Sequence, residues 1–213
     1  ILLVFTCLLQ VCSVSGLVLA ETSEKTEINT TSIDGIVENN QTNWSYVLID
    51  KTTGTETAMS YGTYTNTPAM LINTTTNDQH ARFLNNGYTH PAYSGDTAAV
   101  YTVDKAGYLD CSLQVRFKNT TDGVNVKIWV NSKAEYLLIP TQVSSATGEE
   151  VLNYEVPGVY VNAGDKIYFA LDYNTSFNSD GGHFVARVKT GKKLAVDKSY
   201  SGNIMASQAD YGY

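Results

Sequence analysis

Between Trp44 and Val188 the apolar residues recur at every second position, the spacing that lines one face of a β-strand and leaves the other to water. No stretch of ten residues carries the i, i+3, i+4 pattern of an amphipathic helix. The alternating runs are Trp44–Ile49, Ala58–Tyr64, Ala69–Ile72, Ala98–Val103, Tyr108–Phe117, Val124–Val130, Tyr136–Ile139, Val151–Val161, Lys166–Tyr173 and His183–Val188. Clusters rich in Gly, Asn and Asp separate several of them, among them DKTTGTE at 50–56, NTTDG at 119–123 and NAGDK at 162–166. That is turn chemistry. Only 16% of residues are charged and only 4 are Pro, which favours strands further. Roughly ten short strands without a βαβ rhythm predict an all-β fold, a two-sheet antiparallel β-sandwich of jelly-roll type.

The ends of the chain read differently. Residues 1–20 carry no charge and finish in Val18-Leu19-Ala20, the pattern of a cleavable signal peptide, with an uncleaved membrane anchor as the alternative. Residues 21–42 are polar and aperiodic and read as a linker, 43–188 as the sandwich domain, and 189–213 as a C-terminal tail or linker. This organisation implies an extracellular protein, secreted or attached to a cell surface, with room for further domains of the same chain. Of the 3 cysteines, Cys7 and Cys12 fall in the leader, so no disulfide framework is available to the domain. Cys111 falls on the inward side of Tyr108–Phe117 and reads as a small buried hydrophobe. A net charge of −7 excludes nucleic acid as the main partner.

Four segments, NWSYVLIDKTTGTETAMSYGTY, HPAYSGDTAAVYTVDKAGYL, DGVNVKIWVN and VPGVYVNAGDKIYFALDYNTSFNSDGGHF, together resemble β-sandwich modules of secreted bacterial proteins, often found beside polysaccharide-degrading enzymes. The resemblance spans about residues 43 to 188 and rests on turn glycines and core positions. It implies a jelly-roll, carbohydrate-binding-module-like domain and, by association, a polysaccharide or cell-surface glycan as partner. Fold by itself does not establish that function.

Motifs for catalysis are absent: the chain has no G-x-S-x-G, no H-E-x-x-H and no Walker-type phosphate loop. A glycoside hydrolase or polysaccharide lyase would need two carboxylates converging in space, and Glu149, Glu155, Asp172 and Asp180 are candidates by number alone. The chain is therefore read as no enzyme and as requiring no cofactor. One segment, DYNTSFNSDGG at 172–182, offers the oxygen donors Asp172, Asn174, Asn178 and Asp180, which leaves open a structural calcium ion. The competing reading is a polar loop that satisfies its own backbone.

The recognition surface is sought on the outward faces. The linker KNTTDG predicts that Tyr108–Phe117 and Val124–Val130 form a hairpin, which would place Gln114 and Arg116 beside Asn125, Lys127 and Trp129. Tyr168 turns outward from the later strand Lys166–Tyr173. Aromatic rings among amides and charges are the chemistry of sugar recognition, because the apolar face of a pyranose stacks on the ring while its hydroxyls take directed hydrogen bonds. Two explanations of an outward Trp129 compete: a glycan platform, or an indole covered by another segment such as residues 65–97. A structural or adhesive domain that binds a protein partner is the functional alternative. Trp44 and Tyr46 are assigned to core or strand-edge packing.

Overall fold

The computed structural model describes residues 30–32, 43–72, 81–117, 122–133, 136–143, 151–176 and 180–194. The expected leader at 1–20 lies outside these residues. Among the described residues there is no helix. Among those residues fourteen strands form two antiparallel sheets.

The first sheet has the order β12-β9-β14-β7-β6-β5-β4, with β1 paired to β14. Its strands are β1 (Thr30–Ser32), β4 (Ser60–Tyr64), β5 (Thr67–Leu71), β6 (Arg82–Leu84), β7 (Tyr88–His90), β9 (Gly107–Arg116), β12 (Leu152–Val161) and β14 (Gly182–Thr190). The second sheet has the order β11-β10-β13-β8-β2-β3. It contains β2 (Trp44–Asp50), β3 (Glu56–Ala58), β8 (Gly95–Thr102), β10 (Val124–Val130), β11 (Tyr136–Val143) and β13 (Lys166–Tyr173). The two sheets close over one main core, to which Cys111, Leu113 and Val115 contribute from one side and Ile128, Phe169 and Leu171 from the other. This is the all-β sandwich that the alternation predicts. Trp44 and Tyr46 lie in that core, 4% and 5% exposed, and Cys111 is buried there with its thiol pushed up to about 12, by desolvation first and the Asp110 charge second.

Local chemistry explains the connections. The β2–β3 hairpin is held by Asp50, whose Oδ1 accepts Thr52 N at 2.8 Å and Thr53 N at 2.7 Å while Gly54 takes φ +72°. Met59, buried between β3 and β4, marks the point where one predicted run, Ala58–Tyr64, passes from the second sheet to the first. Each sheet ends on a strand that contains a proline, Pro157 in β12 and Pro140 in β11. An edge tolerates the missing N–H, and the register shift between Val156 and Val159 further disrupts that edge as a pairing template.

One sequence expectation fails here. β9 and β10 do not pair: β9 lies between β12 and β14, and β10 between β11 and β13. The segment joining them crosses from one sheet to the other, because Phe117 at its start and Val124 at its end are both buried in the shared core. A hairpin would have put both strands on one side of that core. Of the segment 65–97 weighed as a cover for Trp129, β5, β6 and β7 extend the first sheet, away from Trp129, and residues 73–80 lie outside the described residues. Three residues of the 21–42 stretch, Thr30–Ser32, add to that same sheet as β1.

Candidate functional site

The crossover divides the predicted sugar-contact residues between opposite surfaces. Asn125, Lys127, Trp129 and Tyr168 face outward from the second sheet, where Trp129 is the cross-strand partner of Tyr168 and Asn125 that of Asp172. Gln114 and Arg116 face outward from the first sheet, across the whole thickness of the sandwich. The six do not form one surface.

The outer face of the second sheet is closed. Trp129 is 2% exposed and its indole lies parallel to the Tyr168 ring, with centroids 4.9 Å apart and planes within 2°. Tyr136 meets the indole edge-on, and Lys133 Nζ lies 5.5 Å from its centroid. Val47, Ile49, Ala98, Val100 and Ala170 complete a second small apolar cluster on this face. Tyr168 reaches across it and donates its hydroxyl to Glu56 Oε1 at 2.5 Å, with its own ionisation pushed up by burial and then by that carboxylate. Beside the cluster lies a chain of ion pairs. Lys127 Nζ is 2.7 Å from Asp96 Oδ1 and 3.8 Å from Asp172, Lys133 Nζ is 2.7 Å from Asp96 Oδ2, and Lys51 Nζ is 2.7 Å from Asp172. Asp96 is 1% and Lys127 7% exposed. Burying such charges is tolerable only because each has a partner. Burial raises the Asp172 carboxyl, and Lys51 acts against that shift. These groups seal a surface, and a sugar could not reach the indole.

The predicted metal ligands are likewise separated. Asp172 belongs to the ion pairs just described, and Asn174 donates Nδ2 to the backbone oxygen of Asp122 at 3.1 Å. Asn178 lies outside the described residues, and Asp180 is buried two residues before β14 begins. Among the described residues no group of three or more His, Cys, Asp or Glu side chains converges to hold a metal. The carboxylates weighed for catalysis are dispersed too: Glu155 faces out from the first sheet, Asp172 from the second, and Glu149 lies outside the described residues.

The first sheet presents the open surface. Along β9 the residues Tyr108, Asp110, Ser112, Gln114 and Arg116 alternate with the buried Cys111, Leu113 and Val115, so their side chains stand on the outer face. Neighbouring strands extend the rows: Asn153, Gln114 and Val185 lie side by side, as do Glu155, Ser112 and Arg187. Between them is a groove of about 270 Å³ lined by Asp110, Ser112, Gln114, Asn153, Glu155 and Arg187 among others. This is just below the range of about 300–1,000 Å³ typical of small-molecule pockets. Gln114 Nε2 donates to Asn153 Oδ1 at 3.0 Å, which fixes the two amides relative to each other. Asp110 Oδ1 accepts Gly158 N at 2.9 Å and its Oδ2 lies 3.7 Å from Lys189 Nζ. At the Asp110 end, Tyr160 and Tyr108 are cross-strand partners with ring centroids 5.1 Å apart at 64°, and Tyr160 is 59% exposed. Of the predicted residues, this face retains Gln114 and Arg116. Asn153, Arg187 and Tyr108 were missed although their period-two positions marked them as outward, and Glu155 was weighed only as a catalytic carboxylate; Tyr160, of opposite parity to Asn153 and Glu155, reaches the outer face through the register shift between Val156 and Val159.

No family model matches the chain, and no curated relative matches it. Among solved structures it is similar to the CBM36-1 domain of a multidomain xylanase from the hindgut metagenome of Trinervitermes trinervoides, at 11% identity, covering 71% of this chain and 100% of that one, with a TM-score of 0.35. It is also similar to a family 35 carbohydrate-binding module from an environmental isolate, at 16% identity over 70% of this chain and 98% of that one, TM-score 0.35. A third is a mutant of the family 29 carbohydrate-binding module CBM29-2, at 12% identity over 80% and 99%, TM-score 0.34. The sandwich itself stands on the strand pairing above, and the ligand chemistry of this chain has to be read from its own side chains.

Proposed function

We propose that this chain is a non-catalytic extracellular module that binds carbohydrate, a polysaccharide or cell-surface glycan, on the outer face of β12, β9 and β14. One observation carries the reading: an open groove in which amides, a hydroxyl, a carboxylate and a guanidinium stand in adjacent rows, with a tyrosine pair at one end. Sugar hydroxyls are donors and acceptors at once, and Gln114, Asn153, Ser112 and Glu155 supply both. Tyr160 offers an exposed ring at the end of the groove for stacking. A protein-binding patch would be expected to have an apolar or aromatic centre, and this groove has a polar one. The carboxylates that share the groove, Asp110 and Glu155, do not make an acid–base pair in this reading, because both oxygens of Asp110 are engaged by Gly158 and Lys189.

The test is affinity electrophoresis and calorimetry of the purified protein against a panel of soluble polysaccharides. Tyr160→Ala and Gln114→Ala should each weaken binding about tenfold or more, the loss of roughly 1.4 kcal/mol. Tyr93→Ala, at an exposed ring that stacks on Tyr173 at the rim of the other sheet, should leave it unchanged. Retention of binding in both groove variants would reject the site. Absence of binding to every glycan would favour the adhesive, protein-binding reading, and reducing sugar released by the parent but not by Glu155→Gln would make the chain an enzyme.

A further inference from the structure

On the outer face of the second sheet a lysine and two aspartates meet almost out of reach of water. Lys127 stands on β10 and Asp96 on β8, with β13 between them, and the lysine spans the gap to bring Nζ within 2.7 Å of Asp96 Oδ1. Asp172 stands on the intervening strand. Its Oδ2 is 3.8 Å from the same ammonium, and its Oδ1 is 2.7 Å from Lys51 Nζ. Lys133 Nζ lies 2.7 Å from the second oxygen of Asp96. Exposure distinguishes the two lysines on Asp96: the side chain of Lys127 is 9% exposed and that of Lys133 36%, against 1% for the aspartate between them. The stacked Trp129 and Tyr168 rings close the face alongside.

A structural ion pair needs one lysine and one carboxylate. This cluster holds more: a nearly dry amine, a carboxyl whose far oxygen faces a second cation, and a third group able to carry a proton between them. Burial raises the Asp172 carboxyl, the hydrogen bond from Lys51 acts against that rise, and the Asp96 charge adds to it. A carboxyl set in this way can take up a proton and return it. Moving the ammonium proton across the 2.7 Å contact turns a buried pair of charges into a neutral amine and a neutral acid, which a closed site tolerates better. The carboxyl carbon is then one bond beyond the oxygen that the amine touches. Groups held so close and aligned react at effective concentrations of about 10⁵–10⁸ M. No disulfide ties these strands, since the cysteine of the described residues, Cys111, is free and buried in the main core.

We propose that Lys127 and Asp96 condense into an isopeptide bond that staples β10 to β8 across β13, with Asp172 carrying the proton and Lys133 steadying the oxygen. The ion pairs described above are the state before condensation. The ammonium proton passes to Asp96 Oδ1, and the free amine attacks Cγ to form the C–N bond. Oδ2 becomes an oxyanion facing the Lys133 ammonium, the placement that stabilises such a charge. Asp172 takes a proton from the attacking nitrogen and gives it to the departing Oδ1 hydroxyl. The C–O bond breaks, Oδ2 becomes the amide carbonyl, and one water leaves. Asp172 ends as it began, so no oxidant, cofactor or second substrate is required. Lys127 is the nucleophile because Lys133 keeps its ammonium hydrated. The bond would close a loop between residues 31 apart in sequence. It lies on the face opposite the groove and does not depend on the glycan reading.

The test is intact-mass spectrometry of the full chain after denaturation, with Lys127→Arg prepared identically so that both share one N-terminus. The parent should weigh one water less than its sequence, and Lys127→Arg should show its full sequence mass. Trypsin acting on the denatured parent should leave the chain uncut after Lys127 and release a branched peptide that joins the segments containing Asp96 and Lys127, identified by tandem mass spectrometry. Asp172→Asn keeps both partners and should lose water at least about a hundredfold more slowly, the least that a positioned proton carrier contributes. A parent of full sequence mass that trypsin cuts after Lys127 would overturn the proposal, as would a deficit that persists in Lys127→Arg or maps to Lys133. Water loss at the parental rate in Asp172→Asn would refute the proton-carrying step. Mass is read on denatured chains, so a variant that folds poorly leaves the parent's result decisive.

Discussion

Replacing Trp129 by Ala separates the two explanations of an outward tryptophan. The indole is 2% exposed and stacks on Tyr168, so the substitution removes a side chain that is almost wholly out of water. Large aromatic side chains bury about 150–250 Å² each, which at about 25 cal/mol per Å² corresponds to roughly 4–6 kcal/mol as an upper estimate. Measured aromatic-to-alanine truncations in cores cost about 3–5 kcal/mol. Lost ring stacking is within that range, and Lys133, which shares its position between the indole and Asp96, loses one of its two neighbours. The expected cost is therefore about 3–5 kcal/mol, or a fall in Tm of about 6–20 °C for a chain of this size. Urea unfolding followed by circular dichroism measures it, with Trp129→Phe as the milder companion. At a temperature where Trp129→Ala remains folded, glycan binding should be unchanged. A variant of parental stability that no longer binds glycan would refute the closed-face account and restore Trp129 as a platform.

The ion pairs and the turns make separate predictions. Asp96→Ala should cost about 3–5 kcal/mol, because it strands the buried Lys127 ammonium now 2.7 Å from Asp96 Oδ1; denaturant titration checks this, and a cost under about 1 kcal/mol would show that Asp172 suffices as a partner. Asp50, whose carboxyl is held below the usual range by hydrogen bonds from Thr53 and then Thr52, should stabilise the fold above the carboxylate pKa of the unfolded chain. That contribution should fade as pH falls through the lower folded value, so the stability gap between parent and Asp50→Ala should narrow between about pH 5 and pH 2. A gap that widens on acidification would contradict the capping role.

Most of the fold was legible in the alternation because burial on one side of a strand is a local property, written every second residue. The runs Trp44–Ile49, Val124–Val130 and Lys166–Tyr173 correspond to β2, β10 and β13 almost residue for residue. Which strand sits beside which is not local. KNTTDG has the composition of a hairpin turn, yet Phe117 and Val124 are both drawn into the shared core, and burying both from opposite sides requires a crossover. That one misplaced connection moved Gln114 and Arg116 onto the wrong surface. β6 and β7 were missed because three-residue strands are too short to show a period.

The two outer faces also show why alternation cannot locate a binding surface. Parity tells only whether a side chain points toward the central core; whether the opposite face is sealed depends on what stands laterally beside it. On β10 and β13 the outward residues are Trp129, Lys127, Tyr168 and Ala170, and their neighbours across the sheet include Val100, Ala98 and Val47, so rings and small apolar residues merge into a second cluster with ion pairs at its margin. On β9, β12 and β14 the same parity brings together Gln114, Asn153, Ser112, Glu155 and Arg187, whose polar ends cannot bury one another. An aromatic residue among polar ones in a single strand is therefore ambiguous until its cross-strand partners are known. Trp129 meets Tyr168 and is sealed in; Tyr160 meets Tyr108 beside a polar groove and stays 59% exposed. It is this lateral context that moves the proposed sugar contact from the tryptophan to the tyrosine.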